Sequence, residues 1–425
     1  MESLKKLNEK GAFHIFIGSF ITKFAAFFGS VFIVRVLTKE EFGVLGYAEN
    51  LFNYTYVLAG MGLANALLRY VILAGERAEK LAYYKYVVRF STVFNVLLVV
   101  AAGALFVFYP HPTEFAAARY LVPLLLLSLP FRSLSDNQNS LQRAMFDNKG
   151  YAIWGSAISI AAVAVKFVLA WLFGLEGAVL SSLIVYAMFV ALLAFYVRGR
   201  YFGNVSATAL SRDDRKSVNQ YSVQYMVTNG IWAIFMLNDV LLLGQMTGNA
   251  NLVAEYKVAY VLPANLSLIS ASIGVFVTPY FVQHEKEPIW IRKAYKKVFA
   301  CTAAAIGVVA AVIYIFAGPI ISVLYGNQYT AAVPVMRVLL VAAFLNTGLR
   351  YTHANLLAAM GQVKPNMLVS LGGVLLQIIV SILVIPSFGA MGVAYTSVLV
   401  YALMAAALMA VFWQRILRSK RAENP

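Results

Sequence analysis

One cysteine, Cys301, stands in 425 residues, which excludes an internal disulfide framework and any metal site built on several thiolates. Charge is scarce too: Asp, Glu, Lys and Arg make up 12% of the chain, about half the share usual in soluble domains. That shortage excludes an ordinary water-soluble enzyme. It also excludes disorder, which needs low hydrophobicity and dense charge. The four histidines, His14, His111, His284 and His353, are scattered with no His-x-x-x-His pair; they are expected in loops or interfaces. Neither a Walker-type phosphate loop nor a Gly-x-Ser-x-Gly elbow is present. No enzymatic activity, metal or cofactor is therefore expected, and no ATP-driven pumping by this chain alone.

What is abundant is apolar: 61% of residues, with a mean hydropathy of +0.75. The expectation is an all-α polytopic membrane protein. A bilayer core of about 30 Å takes about 20 helical residues, and twelve runs fit: 12–36, 43–68, 87–109, 116–134, 151–173, 177–197, 219–245, 252–281, 298–324, 331–349, 367–386 and 391–413. The first follows Lys5, Lys6 and Lys10, carries Lys23 and lacks a small-residue cleavage signal, so it reads as a retained span.

Acidic residues are few, 18 against 34 basic. With the N-terminus in the cytoplasm, 27 Lys and Arg fall in inside segments, three (Arg35, Lys39, Arg119) outside, and four (Lys23, Lys166, Lys257, Arg337) within spans. The basic excess is thus an orientation signal that puts both termini in the cytoplasm, and a nucleic-acid partner loses its support. Outside connections are too short for a catalytic domain. The longest connection, 198–220, is expected to link an N-terminal six-helix lobe (1–197) to a C-terminal one (221–425).

The halves repeat at an offset of 215 residues: Leu141/Leu356, Met145/Met360, Lys149/Lys364, Phe173/Phe388, Gly174/Gly389, Gly177/Gly392 and Tyr186/Tyr401. Six spans per half is even, so the repeat is parallel, and two lobes about a central cavity are expected.

Ions inside spans are the candidate site, because each costs about 2.5–3.5 kcal/mol near a helix centre. Lys23 falls near the midplane; Glu49, Lys166, Asp239, Lys257 and Arg337 form a layer nearer the outside. Cations outnumber anions there, which suits an anionic head group. Lys23, Lys257, Lys166 and Arg337 are the candidate substrate-binding residues, with Glu49 and Asp239 pairing with cations or carrying a coupling ion. The alternative is that they only join helices, as Asp239 with Lys257, or snorkel. Gly18, Gly29, Gly60, Gly62, Gly230, Pro263 and Pro279 lie in spans, where they permit close packing or bending.

The stretch Arg35-Val-Leu-Thr-Lys-Glu-Glu-Phe-Gly-Val-Leu-Gly-Tyr47, then Gly60-Met-Gly-Leu-Ala-Asn-Ala-Leu-Leu-Arg-Tyr70, resembles the opening of the polysaccharide (Wzx-type) flippases of the multidrug/oligosaccharidyl-lipid/polysaccharide exporter superfamily. The twelve spans, the repeat and the Phe-Gly-x-x-Gly turns agree. The resemblance implies movement of an undecaprenyl-diphosphate-linked oligosaccharide, a repeat unit of O-antigen, capsule or exopolysaccharide, across the bacterial cytoplasmic membrane. It also implies alternating access through a cationic cavity lined by the first two helices of each half, where Lys23, Glu49, Asp239 and Lys257 fall. Implied partners are a proton or sodium ion, membrane lipids, and polysaccharide polymerase and chain-length proteins. Lipid II flippases of the superfamily carry an arginine-rich first helix; here a single Lys23 precedes Phe24-Ala25. A cation-coupled drug exporter, a lipid II flippase and a non-transporting scaffold of a glycan-assembly complex are the alternatives.

Overall fold

Helices begin where the sequence supplies a polar cap. Helix α1 (Ala12–Val36) ends just before Thr38, whose hydroxyl accepts from the Glu41 N–H while its own N–H donates to the Glu41 carboxylate at 2.8 Å. This reciprocal box satisfies two amides that the helix leaves open and starts α2 (Lys39–Tyr56). Asp147 opens α7 (Asn148–Val197) by accepting from the Gly150 N–H at 2.9 Å. Ser211 and Asp214 open α8 (Arg212–Thr247) in the same reciprocal way, and Asn249 opens α9 (Ala250–Asn265). The computed structural model describes residues 12–284, 287–360 and 363–423, with no strand among them. The basic cluster Lys5, Lys6 and Lys10 and the inside cation Lys286 lie outside the described residues.

The chain divides into two compact units, Met1–Leu237 and Asn238–Pro425. In the first, α2 is followed by a break at Ala59–Gly62, then α3 (Leu63–Leu73), α4 (Arg77–Phe108), α5 (Ala118–Leu126), α6 (Leu129–Ala144), α7 and a π-helical turn Arg198–Phe202. Helix α1 lies close along α7: a Cβ added to Gly18 would sit 2.9 Å from that of Ala152, and one on Gly29 would sit 2.7 Å from a Val163 methyl. Both glycines therefore serve close packing. At the break, Gly60, Met61 and Gly62 all have positive φ (57°, 51° and 74°), a conformation that favours glycine. The Gly60 N–H donates to Asn95 of α4 at 2.7 Å.

The second unit holds the end of α8, then α9, α10 (Ser267–Gln283), α11 (Pro288–Ile315), α12 (Ala317–Tyr325), α13 (Ala332–Ala343), a π-helical segment Phe344–Arg350, α14 (Tyr351–Ala359) and α15 (Val363–Glu423). The long helices α7 and α15 are each broken by one glycine in the left-handed region, Gly174 and Gly389.

Seven helices of the described residues are long and apolar enough to cross a membrane, and three bent pairs bring the number to ten. Helices α7 and α15, 50 and 61 residues long, each exceed the length of one crossing and break at their glycines. Their outer surfaces are apolar: Phe108, Phe195 and Trp171 are 86%, 77% and 72% exposed. Such a surface is tolerated only against lipid, so this is a multi-pass membrane protein.

Two segments depart from the hydropathy reading. The expected fourth span stops at residue 134, yet α6 runs on to Ala144 and buries Ser135, Asn137, Gln138, Ser140 and Gln142. The polar face that lowers its hydropathy is turned into the unit, where Asn137 donates to Ser91 of α4 and Gln138 to the Val190 carbonyl of α7. Arg350 and His353, assigned to a connection by hydropathy, are 4% and 1% exposed inside the helical run that follows α13. His353 is therefore no loop residue. Its Nδ1–H donates to the Leu349 carbonyl at 2.7 Å, leaving Nε2 to accept from the Tyr295 hydroxyl at 2.9 Å.

Candidate functional site

Of the six ions expected to form the site, the first unit brings two together. Helix α2 presents Glu49 and α7 presents Lys166, with Nζ 2.5 Å from Oε1 and the side chains 30% and 25% exposed. Away from bulk water such a pair gains more from Coulomb attraction than at a wet surface. The Glu49 carboxylate thus neutralises one of the two cations that this unit was expected to offer a substrate. The other, Lys23, stands exposed on α1 beside Phe24, itself 54% exposed.

The same unit holds a second ionic group that hydropathy overlooked. The Tyr56 hydroxyl, at the end of α2, donates to the Asp136 carboxylate of α6. The Arg132 guanidinium, one turn earlier on α6, lies 4.0 Å from the Tyr56 ring centroid and 5.7 Å from those of Phe52 and Tyr186. Tyrosine thus meets the anion with its hydroxyl and the cation with its face, a geometry worth about 2 kcal/mol or more when desolvated. Sequence reasoning counted Arg132 among the orientation charges. The available signal was the run of Ser, Asn and Gln after it, which has helical rather than loop spacing.

In the second unit, Asp239 of α8 is 9% exposed. Its two oxygens accept from the Tyr256 hydroxyl of α9 at 2.6 Å and the Gln377 amide of α15 at 2.7 Å. Both donors are neutral. The Gln377 Oε1 and the Ser381 hydroxyl, one turn further along α15, are buried oxygens with no partner. Tyr260 and Tyr401 lie within electrostatic reach of Asp239, and Arg350 within reach of Tyr401. A buried carboxylate held by two neutral donors is a place that can exchange a proton. Groups of three or more His, Cys, Asp or Glu able to hold a metal are absent among the described residues.

Lys257 of α9 is half-buried, adjoining buried Tyr256 and Val258 in the chain. Arg337 of α13 donates to the Tyr314 carbonyl at 3.3 Å and sits 5.2 Å from the centroid of that ring. Tyr314 lies in the last turn of α11, where carbonyls lack helical partners and a cation is favoured. The six expected ions are thus distributed into an ion pair, a carboxylate held by neutral donors, a helix-end contact and the two lysines Lys23 and Lys257.

Comparison with known proteins places this geometry in context. The family model described as "Polysaccharide biosynthesis protein" matches residues 32–334. An uncharacterized membrane protein of Methanocaldococcus jannaschii is 23% identical over 431 residues, covering 95% of this chain and 83% of that one. Among solved structures, the lipid II flippase MurJ in an inward closed conformation is similar with a TM-score of 0.74 at 14% identity, covering 95% of this chain and 90% of that one. An inward-facing multidrug resistance transporter of the MATE family and MOP superfamily gives 0.72 at 16%, covering 94% and 96%. A MOP superfamily transporter from Pyrococcus furiosus gives 0.66 at 15%, covering 98% and 96%. At such identities the likeness establishes the fold alone, the all-α membrane fold that those proteins share.

Proposed function

The chain belongs to the polysaccharide biosynthesis protein family, and from that premise we propose that it flips an undecaprenyl-diphosphate-linked oligosaccharide across the cytoplasmic membrane by alternating access. The family match over residues 32–334, on a transporter fold, carries this reading. The lysines Lys23 and Lys257 offer charge to the diphosphate, while the lipid tail stays in the bilayer. Asp239 takes up the coupling ion, a proton or sodium; its burial between two neutral donors supports that role. Glu49 shields Lys166 when no substrate is bound, and Arg337 stays on its helix end. Both termini face the cytoplasm, and polysaccharide polymerase and chain-length proteins act on the exported repeat.

The test is reconstitution. The full chain in vesicles, supplied with a fluorescent polyprenyl-diphosphate oligosaccharide, should make the glycan accessible to an added glycosidase on the opposite face. The variants Lys23→Ala and Lys257→Ala should insert normally and lose most of that rate. Full activity in both would sink the charge-based recognition. Export of cationic dyes with no movement of the lipid-linked sugar would replace the flippase by a drug exporter.

A further inference from the structure

Outside the groups considered so far, the first unit contains a cavity of about 560 Å³ between α4, the segment 207–210 and the start of α8. Its size is within the range of small-ligand sites. Three cations line it: Lys85 and Arg89, one turn apart on α4, and Arg215 of α8. None of the lining residues is acidic. The nearby carboxylate of Asp214 is engaged by the backbone N–H and hydroxyl of its cap partner Ser211. Tyr86 also lines the cavity and is held there, its hydroxyl donating to Asn219 at 3.1 Å and its ring 5.9 Å from the Arg215 guanidinium. The segment above is tied down by the Thr208 N–H on the Ala78 carbonyl.

The wall then changes character along α4. Past Arg89 the cavity is lined by Phe90 and Val93, and the same helix continues as an exposed apolar strip through Val96, Leu97 and Val100, which are 50–67% exposed. Cations at one level and bare hydrocarbon at the next are the two halves of a phospholipid site: phosphate above, acyl chain below. The charge count that orients the chain accounts for basic residues at this end of α4. It does not account for their gathering around a concave pocket without acid, or for the apolar run leaving it.

We infer that this pocket binds the phosphate head group of an anionic membrane phospholipid, with one acyl chain lying along Val93 and the strip beyond. The charge complementarity of three cations to one phosphodiester favours this occupant over a zwitterionic lipid, whose choline would meet Lys85 or Arg89. The inference is independent of the transport reading.

Native mass spectrometry of the full chain in detergent, titrated with phosphatidylglycerol or phosphatidylcholine, tests it. One phosphatidylglycerol should remain bound at concentrations where phosphatidylcholine does not. The double variant Lys85→Gln/Arg89→Gln should weaken it roughly tenfold or more, from the attraction typical of each basic residue at a lipid surface. The exchange Lys85→Arg/Arg89→Lys, which keeps the charge, should restore it. Val93→Trp, filling the acyl-chain wall, should also weaken phosphatidylglycerol. Equal retention of the two lipids, or unchanged phosphatidylglycerol binding in the glutamine variant, overturns the inference. So does displacement of the lipid by inorganic phosphate at concentrations matching lipid affinity, which would mark a site for a soluble anion.

Discussion

Gly174 and Gly389 hold the same backbone conformation in the two halves of the chain: φ 60° with ψ −136°, and φ 51° with ψ −129°. They occupy matching places in the sequence repeat. The likeness extends around them. A Cβ on Gly177 would fall 1.9 Å from the Leu169 carbonyl oxygen, and one on Gly392 would fall 2.9 Å from that of Val384, and these four residues match at the repeat's own offset. Earlier in each half, the Met145 N–H bonds to the Leu141 carbonyl and the Met360 N–H to that of Leu356. Each half therefore uses one device to leave one span and enter the next: a glycine that only glycine geometry permits, then a second that lets the chain pack back on itself.

This gives an order of damage for four alanine substitutions. Gly174→Ala and Gly389→Ala meet open space or a side chain at ordinary distance, so their effect is conformational, about 1–3 kcal/mol. Gly177→Ala collides with backbone and should be the worst of the set; Gly392→Ala should be milder. Gly155, helical and with nothing within 4 Å, is the control, and its alanine variant should be neutral or slightly stabilising. Thermal midpoints in detergent give the order. Equal midpoints for Gly155→Ala and Gly177→Ala would contradict it.

The Glu49–Lys166 pair joins α2 to α7. Because both side chains keep about a quarter of their exposure, solvent screening discounts the pair, and a double-mutant cycle with Glu49→Gln and Lys166→Met should return a coupling of about 0.5–2 kcal/mol. Either single change should be more disruptive than the double change, since each strands the other charge away from bulk water. Additive effects would mean that the two residues act separately.

Asp239 separates a structural role from a coupling one. Asp239→Ala leaves the Tyr256 hydroxyl and the Gln377 amide without their acceptor, at about 1–3 kcal/mol for each stranded group. Asp239→Asn retains an acceptor and should lower the thermal midpoint less. In reconstituted vesicles the Asn variant should no longer respond to an imposed sodium or proton gradient, whichever drives the wild type. A gradient response that survives in Asp239→Asn removes this residue from coupling.

The helical, membrane-spanning architecture was legible because its cause is compositional: apolar runs of bilayer length and glycines at repeating places are written locally. The pairing of ions was only partly legible. Glu49 and Lys166 were both singled out by their cost in a span, but their partnership depends on how α2 is angled after the Thr38 cap, which hydropathy does not encode. Arg132 and Arg350 were missed for the opposite reason. Arg132 stands at the inner end of the expected fourth span and counts with the inside charges, while Arg350 falls just past the expected tenth span, among polar and small residues that read as a connection where the chain is helical. Arg337 was placed correctly in a span, yet its partner is a backbone carbonyl at the end of α11, and a carbonyl has no signature in sequence.

Asp147 should give the first unit an acid-sensitive component. Desolvation raises its pKa, but donation from the hydroxyls of Tyr201 and Tyr196 at 2.6 and 2.7 Å, and from the Gly150 N–H, outweighs this and holds the carboxyl below its ordinary value. A carboxyl with a depressed folded-state pKa contributes stability that is fully present above the unfolded value of about 4 and is lost as pH falls through the folded one. Unfolding midpoints of the wild type should therefore decline on acidification below about pH 4 more steeply than those of Asp147→Asn. Parallel pH profiles would show that the carboxylate form is not what the two tyrosines hold.

Tyr56 tests whether the ionic group on α6 acts as a unit. Tyr56→Phe deletes the hydroxyl that donates to Asp136 but leaves the ring on which Arg132 rests, so the loss should be that of one charge-assisted hydrogen bond, about 1.5–3 kcal/mol. Arg132→Lys keeps the charge but gives up the planar cation that stacks on Tyr56 between Phe52 and Tyr186, and it should not behave as a conservative change. Tyr56 is three residues from the Ala59–Gly62 break, and the group pins the end of α2 to α6 at that point. Loosening it should raise amide hydrogen exchange across residues 56–62 in both variants, while exchange in α1 stays unchanged. Exchange that rises evenly over the unit would mean that these residues support the fold at large and leave the break to its glycines.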